Sequence, residues 1–153
     1  MKRLICFLPF YFLLFSCHHK ADNDSITLEH YVSPEMESLG LPFSDAVRVG
    51  NMLYLSGQVG NIPSKLELVE GGLVAESRQI MEGIKKVLEA NGSSMEHAVK
   101  LTIFIDDINR WSEFNEVYKE YFPGKKPARS AFGAEGLALG AAVEVECIAY
   151  IPD

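Results

Sequence analysis

Val143-Glu144-Val145-Glu146-Cys147-Ile148 decides how this chain folds. Apolar and acidic residues alternate, and a period of two marks a β-strand with one dry face and one wet face. Val143, Val145 and Cys147 share one side, while Glu144, Glu146 and Ile148 share the other. Upstream, Pro127-Ala128-Arg129-Ser130 opens a second apolar segment, read as a strand from Ala128 to Ala134. An arginine therefore heads one strand and two glutamates sit inside another. Arginine offers a planar fork of donors that fits a carboxylate. A glutamate on an apolar strand gains proton affinity through desolvation and is suited to proton transfer. Together they predict a small site that grips an acid and moves a proton beside it.

The segments before this pair supply the rest of a domain. Asn109 to Tyr121 reads as a helix, with Trp111, Phe114, Val117, Tyr118 and Tyr121 as its apolar stripe, stopped by Phe122-Pro123-Gly124. Val99 to Ile105 is rich in β-branched residues and reads as a strand, broken by Asp106-Asp107. A longer helix runs from Val74 to Ala90. Ile80, Met81, Ile84, Val87 and Leu88 form its dry face, and Glu76, Arg78, Glu82, Lys85, Lys86 and Glu89 its wet one. Asn91-Gly92 ends it, and Ser93 to Glu96 has the form of a capping box for one short turn. Earlier still, Ala46–Val49 and Met52–Leu55 flank Gly50-Asn51 as a hairpin, followed by a loop over Asn61 to Gly72. The order β-β-α-β-α-β-β predicts a two-layer α+β domain, one mixed sheet packed on two helices. Such a layer leaves one sheet face uncovered. The glutamates lie on that face, where a cleft between subunits could form.

Composition narrows the partners. The 153 residues carry 48% hydrophobic and 23% charged side chains, ordinary for a globular domain. Lys2-Arg3 followed by the apolar run Leu4 to Phe15 reads as a signal-peptide core over residues 1–16, too short to span a bilayer comfortably. Leu14-Phe15-Ser16-Cys17 resembles a bacterial lipoprotein box, so Cys17 is the expected lipid attachment point. Residues 17–30 then read as lipid-bearing cysteine and polar tether, and 31–153 as the folded domain. The expected location is a bacterial membrane lipoprotein facing the periplasm or cell surface, held by its N-terminal lipid only. Losing Lys2 and Arg3 moves the formal charge from −7 to −9. No basic face is visible, which argues against nucleic acid. Cys147 alone remains in the domain and reads as a buried core thiol.

Other chemistry finds little footing. Ser56 in Leu55-Ser56-Gly57-Gln58 lacks the upstream glycine of a nucleophile elbow. Gly133, Gly136 and Gly140 do not follow dinucleotide-loop spacing, and His30 and His97 are isolated, so no metal site is expected. For Arg129 the plain alternative is a structural ion pair with Glu144 or with a neighbouring subunit. Glu146 reads more simply as an interface or solvent residue, and Asn115 could satisfy a backbone group.

Several segments in this order resemble the RidA/YjgF family of small imine deaminases. They are Val49 to Gln58, Val99 to Asp107, Phe114-Asn115-Glu116-Val117-Tyr118, Pro127 to Ser130 and Val143 to Glu146, within a match covering Leu41 to Ile151. The resemblance implies a chorismate-mutase-like fold and a homotrimer with clefts between subunits. It also implies hydrolysis of small 2-imino acids to 2-oxo acids and ammonia, with no cofactor. Arg129 matches the arginine that binds the substrate carboxylate, and Glu144 the acid that activates water. Asn115 matches a cleft asparagine, while Ser56, Gly57, Phe43, Ser130 and Ala131 fall at pocket positions. Three residues depart from the pattern: Phe43 stands for a tyrosine, Ala131 for a cysteine and Ala138 for a proline. Because Phe43 lacks the hydroxyl, a trimer that binds small carboxylates without turning them over is the alternative expectation.

Overall fold

Residues 27–153 are described by the computed structural model, so the apolar leader and Cys17 lie outside the described residues. Ala46–Val49 (β2) and Met52–Leu55 (β3) form the expected antiparallel hairpin, with Val49 opposite Met52. Gly50 turns it at a φ of 61°, a left-handed backbone that glycine adopts freely. Leu28–Tyr31 (β1) adds to the outer side of β2, so the sheet begins inside the stretch read as tether. Val143–Tyr150 (β7) runs through the middle of the sheet. It pairs antiparallel with β3, with the short Gln58–Val59 (β4) and with Ala98–Ile105 (β5). Ala128–Gly133 (β6) lies parallel beside β5, which makes the sheet mixed, in the order β1-β2-β3-β7-β5-β6.

Gly72–Ala90 (α2) and Trp111–Tyr121 (α3) supply the helical layer. Leu73, Ile80, Met81, Ile84 and Leu88 of α2 and Phe114 of α3 are fully buried with Leu53, Leu101, Ile103, Val143 and Val145 of the sheet. Each such side chain contributes on the order of 2 kcal/mol on leaving water. Val143, Val145 and Cys147 are buried, as their alternation requires, and Glu144 and Glu146 are not. The two-layer α+β class read from the pattern is the observed one.

Four further local features differ from the expectation. Glu76 is not on the wet face of α2 but buried, 4% exposed. It lies three residues after Leu73 and four before Ile80, spacings that put it on the same stripe. Its Oε2 accepts the backbone N–H of Ala142 at 2.8 Å, the kind of partner a buried carboxylate needs. Gly60 permits the close approach, since a Cβ there would stand 2.5 Å from Glu76 Cα.

A further helix, Pro34–Leu39 (α1), precedes the hairpin. Ser33 caps it by accepting Met36 N–H, Pro34 starts it and Gly40 ends it at a φ of 62°. The Ser93–Glu96 capping box does not form. Met95–His97 is a single 3-10 turn, and Ser93 Oγ donates instead to the Tyr150 carbonyl at 2.7 Å. Finally, α3 starts two residues late because Ile108–Arg110 winds as a 3-10 turn, capped by Asp107 accepting Asn109 N–H.

Candidate functional site

Glu144 stands near the start of β7, where β4 runs alongside with Val59 in register. Gly57, just before β4, leaves room for its carboxylate: a Cβ on Gly57 would lie 2.0 Å from Glu144 Oε1. Among the described residues Glu144 takes part in none of the ion pairs. Burial holds its carboxyl above the usual glutamate range, and the charge of Glu146 pushes the same way. A carboxylate that is half dry and free of a cation retains its basicity, as a general base must.

This carboxylate faces a cavity of about 740 Å³ that extends past Phe43, Ser56 and Gly57 to α1 and the flank of α2. Ser56 fixes one wall. Its Oγ donates to the Ser44 carbonyl at 2.7 Å, and its N–H donates to the Asp45 carbonyl at 3.0 Å. The hydroxyl proton is thus committed, while its lone pairs remain open. Those two bonds also anchor the loop that presents Phe43.

Arg129 occupies a different hollow, about 350 Å³, with Asn115, Tyr118, Lys119, Lys126 and Pro127. Its Nη1 donates to Asn115 Oδ1 at 2.9 Å. Its Cζ lies 4.4 Å from the Trp111 ring centroid and 4.8 Å from that of Tyr118. Trp111, Asn115 and Tyr118 follow one another by four and three residues on α3, so one helix face makes both the shelf and the clamp. The guanidinium is held flat, with donors left for a carboxylate. Tyr118 has the one buried side-chain polar atom without a hydrogen-bond partner among the described residues, its hydroxyl, and burial raises its pKa.

Strand register places these two centres on opposite sides of the sheet. Arg129 is in register with Leu101 and Cys147, both buried beneath the helices. Glu144 is in register with Phe104 and, through it, Phe132. The Phe104 and Phe132 rings stack on the uncovered face with centroids 6.0 Å apart. Ser130 lies on that open face in register with Thr102 and Glu146, whereas the Ala131 side chain packs against the core. The ion pair between Arg129 and Glu144 considered from sequence does not form within the chain, because the sheet separates them and Asn115 takes the arginine. Phe43, Ser56, Gly57 and Glu144 are brought together; Asn115 and Arg129 form the second group. Sequence reasoning treated Trp111 and Tyr118 as core residues only. The signal that would have found them is their spacing about Asn115. Among the described residues no cluster of three His, Cys, Asp or Glu side chains is arranged to hold a metal ion.

Residues 36–151 match the protein family described as Endoribonuclease L-PSP. The 2-iminobutanoate/2-iminopropanoate deaminase of Mus musculus is 43% identical over 108 residues, covering 71% of this chain and 80% of the mouse protein. Among solved structures, the yeast protein YEO7 superposes with a TM-score of 0.77 at 40% identity, over 82% of this chain and 100% of that one. RidA from an Antarctic Psychrobacter bacterium gives a TM-score of 0.70 at 35% identity, over 82% and 98%.

Proposed function

Since the chain belongs to the Endoribonuclease L-PSP family, whose RidA/YjgF motifs it carries, we propose that it hydrolyses small 2-imino acids to 2-oxo acids and ammonia. The observation that carries this reading is Glu144: a desolvated carboxylate, free of a cation, standing in a cavity against Gly57. Water adds through oxygen to the imine carbon while Glu144 takes its proton. The C=N π pair moves to nitrogen, which is protonated. Glu144, having given its proton to that nitrogen, moves the proton of the carbinolamine hydroxyl to the amino group, so that ammonia leaves as the C=O bond forms and the carboxylate is regenerated. Arg129 orients the substrate carboxylate, with its fork held by Asn115 and the aromatic shelf.

The separation of Arg129 from Glu144 supports a site shared between copies, with the arginine of one subunit reaching the glutamate of its neighbour. A homotrimer is the assembly we propose. Lipidation at Cys17 and a membrane location remain part of the same proposal, supported by Lys2-Arg3, the apolar run and Leu14-Phe15-Ser16-Cys17. Labelling with radioactive palmitate, lost in Cys17→Ala, tests it.

A second reading, carboxylate binding without turnover, is favoured by one feature: Phe43 supplies no hydroxyl to order substrate or water. RNA cleavage, which the family's description raises, fits less well with a formal charge of −7. The deciding experiment is turnover of freshly generated 2-iminopropanoate and 2-iminobutanoate, with Glu144→Gln as control. Acceleration lost in the variant is the expected result. A folded, assembled protein that accelerates neither substrate, yet binds pyruvate, would move the assignment to the binding module.

A further inference from the structure

Two residues other than glycine hold a left-handed backbone among the described residues, Ser64 at a φ of 62° and Leu139 at 60°. Both line the cavity that Glu144 faces. Leucine has no polar side chain to compensate such a conformation locally, and backbone outliers of this kind gather at ligand sites. Around the same cavity stand three large apolar side chains that a solitary fold would hide. Leu139 is 47% exposed, Phe43 47% and Leu66 53%. Met36 and Leu39 of α1 continue the wall.

Apart from Glu144, the charged groups along the cavity each have a partner. Lys86 pairs with Glu35, Glu82 accepts from the Tyr121 hydroxyl, and Asp45 accepts the Ser33 N–H. With Glu82, Asp45 and Glu144 in no ion pair among the described residues, the wall offers apolar surface to a ligand's tail and repels an acidic one. Its size points the same way. 2-Iminopropanoate has six non-hydrogen atoms, and a cavity of about 740 Å³ is of the size that takes ligands several times larger.

We propose that this cavity is a side-chain trough, and that the preferred substrates are 2-imino acids with a long apolar side chain, whether branched aliphatic, thioether or aromatic. The imine carbon sits at Glu144, and the tail lies along Phe43, Leu66, Leu139, Met36 and Leu39. This rests on the deaminase reading of the same site. The chemistry is unchanged: water supplies the new carbonyl oxygen, ammonia leaves, and the tail takes no part.

Imines generated in place from alanine, leucine, methionine and phenylalanine by an amino-acid oxidase test it. In the intact protein kcat/KM for the leucine-derived imine is expected to exceed that for the alanine-derived one by at least tenfold, the worth of a few buried methylene groups. Leu66→Ser and Leu139→Gly should each pull that ratio toward one. Leu139→Gly relieves the left-handed backbone, so its fold is not at risk. A flat series in the unaltered protein overturns the proposal, and is also the result if a second copy of the chain fills the trough. If no imine is turned over, the deaminase reading itself has failed. Calorimetric binding of 4-methyl-2-oxopentanoate against pyruvate then decides the trough: tenfold tighter binding of the longer acid sustains it, and equal binding removes it.

Discussion

Arg129 and Glu144 lie on opposite faces of one sheet, on strands separated by β5. A substrate of three or four carbons cannot touch both within one chain, so the proposed site needs two copies. Arg129→Ala and Glu144→Gln are each expected to be inactive. Coexpressed in equal amounts they should regain activity, since roughly a quarter of the shared clefts then combine an intact arginine with an intact glutamate. Zero recovery from a mixed, assembled sample would mean that one copy carries the whole site.

The pH profile should report Glu144. The carboxylate is the working form, and its pKa is raised above the ordinary 4.5, first by burial and then by Glu146. Activity is therefore lost as pH falls through a value above 4.5, earlier than for a solvated glutamate. Glu146→Gln removes the second cause, so the acid limb of kcat/KM should move to lower pH while the effect of burial stays. A limb that moves up, or not at all, would dissociate Glu144 from the rate.

Gly57→Ala places a methyl group where the Glu144 carboxylate sits. The glutamate must swing away, and a displacement of about 1 Å at a reacting group costs on the order of a hundredfold in rate. Folding should be little affected, which circular dichroism checks. Full activity in this variant would show that the carboxylate works from another position.

Trp111 is the single tryptophan of the chain and carries the Arg129 guanidinium 4.4 Å from its ring. Trp111→Leu should raise KM by about 3- to 30-fold with kcat nearly kept, matching roughly 0.5–2 kcal/mol for a cation on an aromatic face. Trp111→Phe should restore most of the affinity. Titration of 2-oxobutanoate into the unaltered protein should change the indole fluorescence; a silent titration despite binding would separate Trp111 from the arginine.

Much of this arrangement is legible in the sequence, because alternation and helical spacing report burial directly. Val143 to Ile148 alone predicts which face of β7 meets the helices, and the structure agrees. Glu76 shows where the method stops. Residue type says solvent, but its position on the α2 stripe and the free N–H of Ala142 decide otherwise. The carboxylate-gripping role of Arg129 follows from residue type and from resemblance, whereas its support by Trp111, Asn115 and Tyr118 depends on how β6 and α3 meet, a contact between distant segments. The helix α1 carries its start and stop signals openly in Ser33-Pro34 and Gly40, but six residues give periodicity too little to work with.

The edge position of β6 has a consequence for handling the protein. Among the described residues only β5 pairs with β6, and such an outer row of N–H and C=O groups is the usual seed of β-aggregation. Lys125-Lys126-Pro127 stands immediately before it, two like charges and a residue that cannot donate. In the proposed shared site this strand must stay reachable to present Arg129, and two charges with a proline are the kind of guard an open edge needs; neutralising Lys125 and Lys126 should shorten the protein's shelf life before it alters its chemistry.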